Sequence, residues 1–356
     1  MAINGMGMLA LVGLGIGGIK SLTLEGIDIL KKSDLVYLDT YTTLTSNDLI
    51  KKLSEHIGKK IISANRARLE DELESLLEQA KAKNITVAVL GDPLFATTHQ
   101  NFLIEARKRG IPYIVVHNSS IISVLTTSCG LHPYKFGKVS TITRQSGTPA
   151  TSIYFTLYDN LIRGLHSIFL LEFDTKDLEG VWPSSAFTLL KDAENIYKLE
   201  AFTEDTFLIV ACRVGTENQK YYVGCVKELE KIDFGEPPYT IIIPSRLHFT
   251  EEEALCILFS VPKDKLVNNT EGLRRRTDYL VNKYVKKTNE ILRLAKERIP
   301  KDQIKYEDLF ENVECYLEDA IRFLNLGEDQ LAMLSVGYAE GLLDSLRLQK
   351  ILDLKW

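Results

Sequence analysis

Over its first 130 residues the chain alternates short apolar runs with stretches of helical periodicity. The runs MLALVG, DLVYLD, ITVAVL and YIVVH are separated by sequences such as LTLEGIDILKKS and RLEDELESLLEQAKAKN, which place apolar residues on one helical face. Strands that alternate with helices are typical of a parallel sheet, because each helix forms the crossover to the next strand. We therefore predict an α/β fold with a mostly parallel sheet that is covered on both faces.

The pattern changes after residue 130. The runs SIFLLEF, TFLIVACRVG, YYVGCV and YTIIIP follow a turn-rich stretch, and the helical SSAFTLLKDAENIYK lies between the first two. This pattern predicts a second α/β unit with more antiparallel pairing. Beyond FSVPKDK only helical patterns remain, with breaks near RIPKDQ and NLGED. We predict three domains: two α/β halves at 8–134 and 135–261, and an all-α domain at 263–356.

The composition excludes several classes of protein. Of 356 residues, 26% are charged and 45% hydrophobic, which is the balance of a soluble globular chain. The sequence has no apolar run of 18 residues and no signal-peptide pattern, so we expect a cytoplasmic protein without a membrane span. The five cysteines lie far apart, in no CxxC or Cys/His pattern, so neither a metal site nor disulfides are expected.

A glycine loop follows the first strand. Gly13, Gly15 and Gly18 match GxGxxG, and Asp39 ends the next strand, as in the dinucleotide-binding fingerprint. In that fingerprint the glycines open the helix itself, whereas IKSLT intervenes here and delays the N-cap to Ser21 or Thr23. A nicotinamide-dependent enzyme is therefore an alternative that we do not favour.

A second motif, GDPLFATTH, directly follows ITVAVL. Pro93 cannot donate to a sheet ladder, so the strand must end there, and Gly91 permits a tight bend. Asp92 then lies at the carboxyl end of the strand, where open α/β sheets bind ligands. Thr97 or Thr98 is predicted to cap the following helix.

Together these motifs resemble those of the archaeal diphthine synthases, which belong to the S-adenosylmethionine-dependent methyltransferase class that includes the tetrapyrrole methylases. The resemblance runs from Met8 to Val261 through LVGLGIGG, KKSDLVYLDTYTT, GDPLFATTH, HNSSIISV, GLHPYKFGK, RGLHSIFLLEF, EDTFLIVACRVG and FGEPPYTIIIPSRLHF. It implies two α/β halves with the S-adenosylmethionine cofactor between them. It also implies a homodimer, and as substrate the aminocarboxypropyl-modified histidine of translation elongation factor 2.

The resemblance implies eight cofactor-binding positions, most of them apolar, which suits backbone contacts and a packed adenine. One of them, Tyr239, departs from the histidine usual in the family. The eight are Ile16, Asp92, Phe95, Ser120, Ile121, Leu171, Val214 and Tyr239.

The implied reaction transfers up to three methyl groups to an amine, in diphthamide biosynthesis. An amine with a pKa two units above neutral costs roughly 2.7 kcal/mol to deprotonate at pH 7, which desolvation could supply. We therefore predict no dedicated catalytic base. His99 is the obvious candidate, but a capping or buried role is favoured. Lys135, Lys138 and Arg144 form a basic run that could attract an acidic partner, although a solvated loop is favoured.

The C-terminal region resembles a family of small archaeal helical proteins of unknown function, a fusion expected of an archaeal source. Residues 263–305 carry 13 basic and 6 acidic side chains, whereas 306–356 carry 4 and 11. Contact of the basic stretch with RNA stays an alternative, but pairing with the acidic helices is favoured. Gly327 is predicted to end a helix, and Gly341 to permit a close helix crossing.

Two functional alternatives remain. One is a methyltransferase of the same class acting on a tetrapyrrole or on ribosomal RNA. The other is a binding protein without activity, tethered by its helical region. The TTH continuation and the FGEPP segment favour diphthine synthase over the first, and the intact Asp92 and glycine loop argue against the second.

Overall fold

The computed structural model describes residues 7–144, 150–174, 179–299 and 306–354. Twelve strands and twelve helices lie in these ranges. The strands are β1 Met8–Gly13, β2 Leu35–Asp39, β3 Ile61–Ala64, β4 Asn84–Val89, β5 Tyr113–Val116, β6 Ser140–Ile142, β7 Ser167–Leu171, β8 Phe173–Asp174, β9 Glu179–Gly180, β10 Phe207–Cys212, β11 Lys220–Cys225 and β12 Tyr239–Ile243. The helices are α1 Leu24–Lys32, α2 Asn47–Ile57, α3 Leu73–Ala80, α4 Gln100–Lys108, α5 Ile121–Ser128, α6 Thr151–Ile162, α7 Pro183–Tyr197, α8 Val226–Leu229, α9 Phe249–Phe259, α10 Arg276–Arg298, α11 Glu307–Leu326 and α12 Asp329–Leu348.

The first sheet has the order β3-β2-β4-β1-β5, and every pair in it is parallel. Its strands are almost continuously apolar because helices cover both faces, and Leu9, Leu11 and Val87 are fully buried. The predicted parallel α/β fold is confirmed. Because all five strands run the same way, their carboxyl ends form one edge, and the glycine loop and GDPLFATTH both leave the sheet there.

The second sheet has the order β11-β10-β12-β7-β6 and is antiparallel except for the β6–β7 pair. The predicted antiparallel character is therefore confirmed. Its core includes Phe207, Ile209 and Ile242, all fully buried. Both sheets lie in one compact unit, formed by the residues up to Ala193 and by Ala201–Glu271.

The second compact unit comprises Glu194–Glu200 and Gly272–Trp356 and contains the helices α10, α11 and α12. Apolar residues at helical spacing on α11 and α12 are buried: Leu317, Ala320, Leu324, Ala339 and Leu343. Gly327 ends α11 in the left-handed conformation, as predicted. A Cβ at Gly341 would meet open space, so the predicted close crossing there is wrong. The predicted break near RIPKDQ falls after α10, and residues 300–305 lie outside the described part of the chain.

The basic stretch of this second unit pairs with its acidic helices. Arg275 lies 2.8 Å from Asp329, Lys296 lies 2.6 Å from Glu314 and Lys287 lies 3.7 Å from Glu340. These contacts support the favoured interpretation of the charge asymmetry over RNA contact. Each pair is exposed enough to contribute little to stability by itself.

Candidate active site

The loops at the carboxyl edge of the first sheet and the ends of β7, β10 and β12 enclose a cavity of about 280 Å³. All eight positions implied by the sequence resemblance line it: Ile16, Asp92, Phe95, Ser120, Ile121, Leu171, Val214 and Tyr239. Residues spread over more than 200 positions of sequence therefore come together at one place. That they bind a cofactor stays a prediction.

The glycine loop forms part of this site by pairing with the GDPLFATTH segment. The amide of Gly15 donates to the carbonyl of Gly91, and the amide of Gly91 donates back, both at 3.1 Å. Gly15 has φ +67°, which favours glycine. A Cβ at Gly13 would lie 2.7 Å from the carbonyl oxygen of Gly91, so a side chain there would force the two loops apart.

The loop after β10 meets the glycine loop at the same place. Gly215 has φ +85°, and a Cβ added to it would lie 2.5 Å from the carbonyl oxygen of Ile16. The two α/β halves can therefore approach this closely only with glycine at 215. Ile16 and Val214 line the cavity on either side of this contact.

Asp92 lines the cavity and forms hydrogen bonds to the loops on either side of it. One carboxylate oxygen accepts a hydrogen bond from the Leu94 amide at 2.9 Å. The other accepts from the Asn118 amide at 3.2 Å and lies 2.8 Å from Nδ1 of His117. Asn118 in turn donates its side-chain amide to the carbonyls of Gly13 and Ser21, at 3.0 and 2.9 Å. Asp92 thus fixes the loop after β5 as well as facing the cavity.

Ser120 and Ile121 lie at the start of α5, next to the cavity. Ser120 is the N-cap and shares a capping box with Ser123. Its hydroxyl accepts the Ser123 amide at 3.2 Å. The positive end of the α5 dipole points towards this wall of the cavity.

The hydroxyl of Tyr239 is engaged within the fold. The hydroxyl donates to the carbonyl of Gly235, and the ring lies 5.5 Å from that of Trp182. Burial raises the pKa of Tyr239, so it stays protonated near neutral pH. Phe95, 47% exposed, is the most accessible of the eight positions.

The charge of the lining is distinctive. Asp92 is its only ionisable carboxylate, and it contains no lysine, arginine or histidine among the described residues. A lining of this kind suits a cationic or neutral ligand. It offers no cation to neutralise a pyrophosphate, which argues against a dinucleotide.

Two further observations count against the dinucleotide fingerprint. The helix after the glycine loop begins at Leu24 with Thr23 as N-cap, as the delayed cap predicted. Asp39, which would hold the ribose, is 1% exposed, and one of its carboxylate oxygens accepts the amides of Tyr41 and Thr42.

The start of α4 differs from the sequence prediction. His99, not Thr97 or Thr98, occupies the N-cap position, and its side chain makes no capping bond. Thr97 donates its hydroxyl to the Pro93 carbonyl at 2.8 Å, because the turn brings that carbonyl within reach. Thr98 instead lies 2.9 Å from Glu70. His99 is fully buried and does not line the cavity, which agrees with the buried role favoured for it.

The sequence reasoning missed a set of threonines. Five of them line the cavity beside the eight predicted positions and add hydroxyl groups to its lining: Thr42, Thr43, Thr97, Thr216 and Thr240. The signal that could have found two of them is YTT, which directly follows β2 at the ligand-binding edge of the sheet.

The basic run predicted to steer a partner is largely engaged within the fold. Lys135 lies 2.5 Å from Glu251, and Arg144 lies 2.7 Å from Glu179. Glu251 lies in the first turn of α9 and is fully buried. It also accepts from the amides of His132 and His248, each at 2.7 Å. Of the three basic residues, Lys138 and Arg144 are exposed and Lys135 is half-buried.

Metal-binding groups and membrane-spanning helices are both absent from the described ranges. No group of three or more histidine, cysteine, aspartate or glutamate side chains there could hold a metal ion. Nor is any helix in those ranges long and apolar enough to cross a membrane.

Comparison with known proteins defines the class first. The family described as Tetrapyrrole (Corrin/Porphyrin) Methylases matches residues 8–230, which include both sheets up to β11. The family described as Protein of unknown function (DUF357) matches residues 283–352, within the helical unit. The chain is thus a tetrapyrrole-methylase-type enzyme with an additional helical region.

Individual relatives define the family within that class. The diphthine synthase of Methanocaldococcus jannaschii is 37% identical over 252 residues, which cover 70% of this chain and 97% of that protein. That of Methanococcus vannielii is 35% identical over 254 residues, covering 71% and 99%. A crystal structure of diphthine synthase matches with a TM-score of 0.64 at 28% identity, covering 72% and 98%. The chain belongs to the diphthine synthase family, and it is an S-adenosylmethionine-dependent methyltransferase.

Proposed function

We propose that this enzyme methylates the amine of the aminocarboxypropyl group on the modified histidine of translation elongation factor 2, in diphthamide biosynthesis. The proposal rests on one observation above others: the eight positions implied by the resemblance line a single cavity between the two halves. Up to three methyl groups would be added.

The residues of the cavity fit S-adenosylmethionine. Its sulfonium is a cation, and the lining holds one carboxylate and no cationic side chain. Its amino-acid carboxylate suits the positive end of α5, while Ile16, Leu171 and Val214 offer apolar surface to the adenine. When bound, the cofactor supplies an electrophilic methyl group.

The residues of the chain need only align and desolvate the reactants. Glycines at 13, 15 and 215 let the two loops close around the donor, and holding donor and amine in line supplies much of the rate. Apolar walls such as Phe95 favour the uncharged amine, which is the nucleophilic form.

We further propose that the enzyme works in the cytoplasm, where its translation-factor substrate lies, and that it forms a homodimer. Helix α9 supports a dimer because it exposes apolar side chains: Phe249 and Ile257 are each 70% exposed, and Leu258 is 63% exposed.

We also propose domain boundaries at 8–134, 135–261 and 263–356. The change from a parallel to a largely antiparallel sheet supports the first division. The separate matches to two families support the second.

Cofactor binding is tested by thermal unfolding. At a hundred times its dissociation constant, S-adenosylmethionine is expected to stabilise the folded enzyme by about 2.7 kcal/mol, because it binds only the native state. NAD at the same concentration is the control and should leave the melting temperature unchanged. A melting temperature raised by NAD and unmoved by S-adenosylmethionine would contradict the assignment of the cavity.

A further inference from the structure

A buried pair of ionisable groups lies next to the cavity and has no role in the reaction described so far. Asp39 ends β2 and His99 precedes α4, and the two side chains are 0% and 1% exposed. Nε2 of His99 lies 3.4 Å from Oδ2 of Asp39. It is the one buried side-chain nitrogen or oxygen without a hydrogen-bond partner in the part of the chain that the structure describes.

The neighbours of His99 fix where its protons can lie. Nδ1 is 3.1 Å from the carbonyl oxygen of Pro93, and a carbonyl only accepts, so Nδ1 carries a proton. In a neutral ring Nε2 is then a bare lone pair close to a carboxylate oxygen, which is also an acceptor. One additional proton would turn this repulsion into a hydrogen bond. The pair therefore has a place for one proton.

Thr42 connects this place to the cavity. Its hydroxyl donates to Oδ2 of Asp39, the same oxygen that lies near His99. Thr42 also lines the cavity. A hydroxyl that donates in one direction keeps lone pairs with which to accept in another, so a proton arriving from the cavity could pass through it to the carboxylate.

The other ionisable groups around the pair do not compete for this proton. The ring of Tyr41 lies 6.4 Å from that of His99, but its hydroxyl donates to Glu70 at 2.7 Å. Burial raises the pKa of Tyr41 to about 12. Glu70 lies 2.7 Å from Arg66, an ion pair that keeps it charged. The remaining ring beside His99 is that of Phe102, which is apolar.

We propose that Thr42, Asp39 and His99 form a relay that receives the proton the substrate amine must lose. This inference rests on the proposed function. The ammonium N–H donates to Oγ1 of Thr42, the Thr42 hydroxyl proton moves to Asp39, and the proton comes to rest between Asp39 and Nε2 of His99. The freed nitrogen lone pair forms the N–C bond as the C–S bond of the donor breaks. After product release the proton returns to water by the same path.

Thr42 would touch the substrate, whereas Asp39 and His99 act through it. This arrangement goes beyond the sequence expectation that desolvation alone removes the proton. It also gives a role to a buried histidine with an unpartnered nitrogen beside a site whose one lining carboxylate, Asp92, already accepts the amides of Leu94 and Asn118.

The test measures single-turnover methyl transfer to the modified elongation factor from pH 6 to pH 10, with cofactor bound. In the wild-type enzyme the proton moves within the complex, so the rate should be nearly flat across neutral pH. In Thr42→Val the amine must lose its proton to solvent. The rate should fall about a hundredfold at pH 7 and recover about tenfold per pH unit as alkali deprotonates the amine.

Three matched variants separate a relay from a structural role. Thr42→Ser keeps the hydroxyl and should restore the flat profile, whereas Asp39→Asn should reproduce the Thr42→Val profile. Thr45→Val, in the same loop but outside the cavity lining, should behave as the wild type. Calorimetric titration should give the same S-adenosylmethionine affinity for the wild type and for the Thr42 and Thr45 variants. Asp39→Asn is left out of this comparison, because it changes a buried carboxylate that accepts the amides of Tyr41 and Thr42.

Nitrogen NMR of the His99 ring in the free enzyme tests the relay without measuring methyl transfer, because it shows which ring nitrogen carries a proton. Nδ1 should carry the proton that it donates to the Pro93 carbonyl, and a ring protonated on Nε2 alone would overturn the relay. A Thr42→Val rate that is unchanged, or that is lowered equally at every pH, would overturn the relay. A wild-type enzyme that binds cofactor but methylates no elongation factor would instead overturn the proposed function.

Discussion

Glu251→Gln is expected to lower the free energy of unfolding by about 3 kcal/mol. Glu251 is fully buried and accepts from Lys135, from Nε2 of His166 at 2.9 Å, and from two backbone amides. Burial alone would raise its pKa, but these hydrogen bonds outweigh burial and lower the pKa from 4.5 to about 2. Such a shift corresponds to about 3 kcal/mol of stabilisation of the folded state. Urea unfolding at pH 7 measures it.

The pH dependence of this stabilisation has a definite sign. A carboxyl group with a lowered folded-state pKa stabilises the fold above about pH 4.5, and the stabilisation is lost as the pH falls towards 2. His166 adds to the acid dependence and begins to do so at higher pH. Burial lowers its pKa and its Nδ1 accepts from the Ser245 amide at 2.9 Å, so the fold holds it neutral and loses stability as the pH falls below the usual value of 6.5.

The variant should therefore lose stability at pH 7 and show a weaker acid dependence than the wild type. Glu253→Gln, on the exposed side of the same helix, is the control and should change neither. Equal acid dependence in the Glu251 variant and the wild type would contradict the account of this buried cluster.

Asp92→Ala is expected to weaken S-adenosylmethionine binding by about 10- to 100-fold, because a hydrogen bond to a charged or polar group contributes about 1.5–3 kcal/mol. The alanine also leaves the amides of Leu94 and Asn118 without their acceptor, so the floor of the cavity should loosen. The fold should survive, since the carboxylate lies at a strand end and is 12% exposed. Calorimetric titration gives the affinity.

His117→Ala is the matched control. His117 contacts the same carboxylate but is 65% exposed, so its removal should change affinity less than about threefold. An affinity unchanged in Asp92→Ala, with melting temperature also unchanged, would remove Asp92 from the binding site.

Strong local patterns explain what could be predicted of the fold. The eight apolar runs named above became β1, β2, β4, β5, β7, β10, β11 and β12, because runs of apolar residues bounded by turn residues are a strong strand signal. Strand β3 has only four residues, one of them a serine, and gave no comparable signal. Helix α6, which directly follows the turn-rich stretch, was not predicted, and its tyrosine, threonine and isoleucine residues have modest helix propensity. Its Tyr154 and Leu157 are fully buried, so packing forms this helix despite its composition.

Part of the candidate site could likewise be predicted from the sequence, and part could not. Eight of its lining positions were implied by the resemblance to the diphthine synthases, and for Asp92 the place at a strand end also indicated a ligand. The Asp39–His99 pair could not be predicted, because the two residues are 60 positions apart and their proximity depends on the turn after β4. In the sequence Asp39 was noted only as part of the dinucleotide fingerprint, an alternative that was not favoured, and its burial counts further against that alternative. The Glu251 cluster was missed for the same reason, since its partners come from three separate loops.

The most direct test of the central claim is the mass of the product. The enzyme would be incubated with isotopically labelled S-adenosylmethionine and elongation factor 2 that carries the aminocarboxypropyl histidine, and the factor would then be weighed and fragmented. We predict the gain of one to three labelled methyl groups, all on the nitrogen of that substituent, and none on the unmodified factor. An unchanged mass under conditions in which the cofactor binds, or label transferred instead to a tetrapyrrole or ribosomal RNA, would contradict the assigned function.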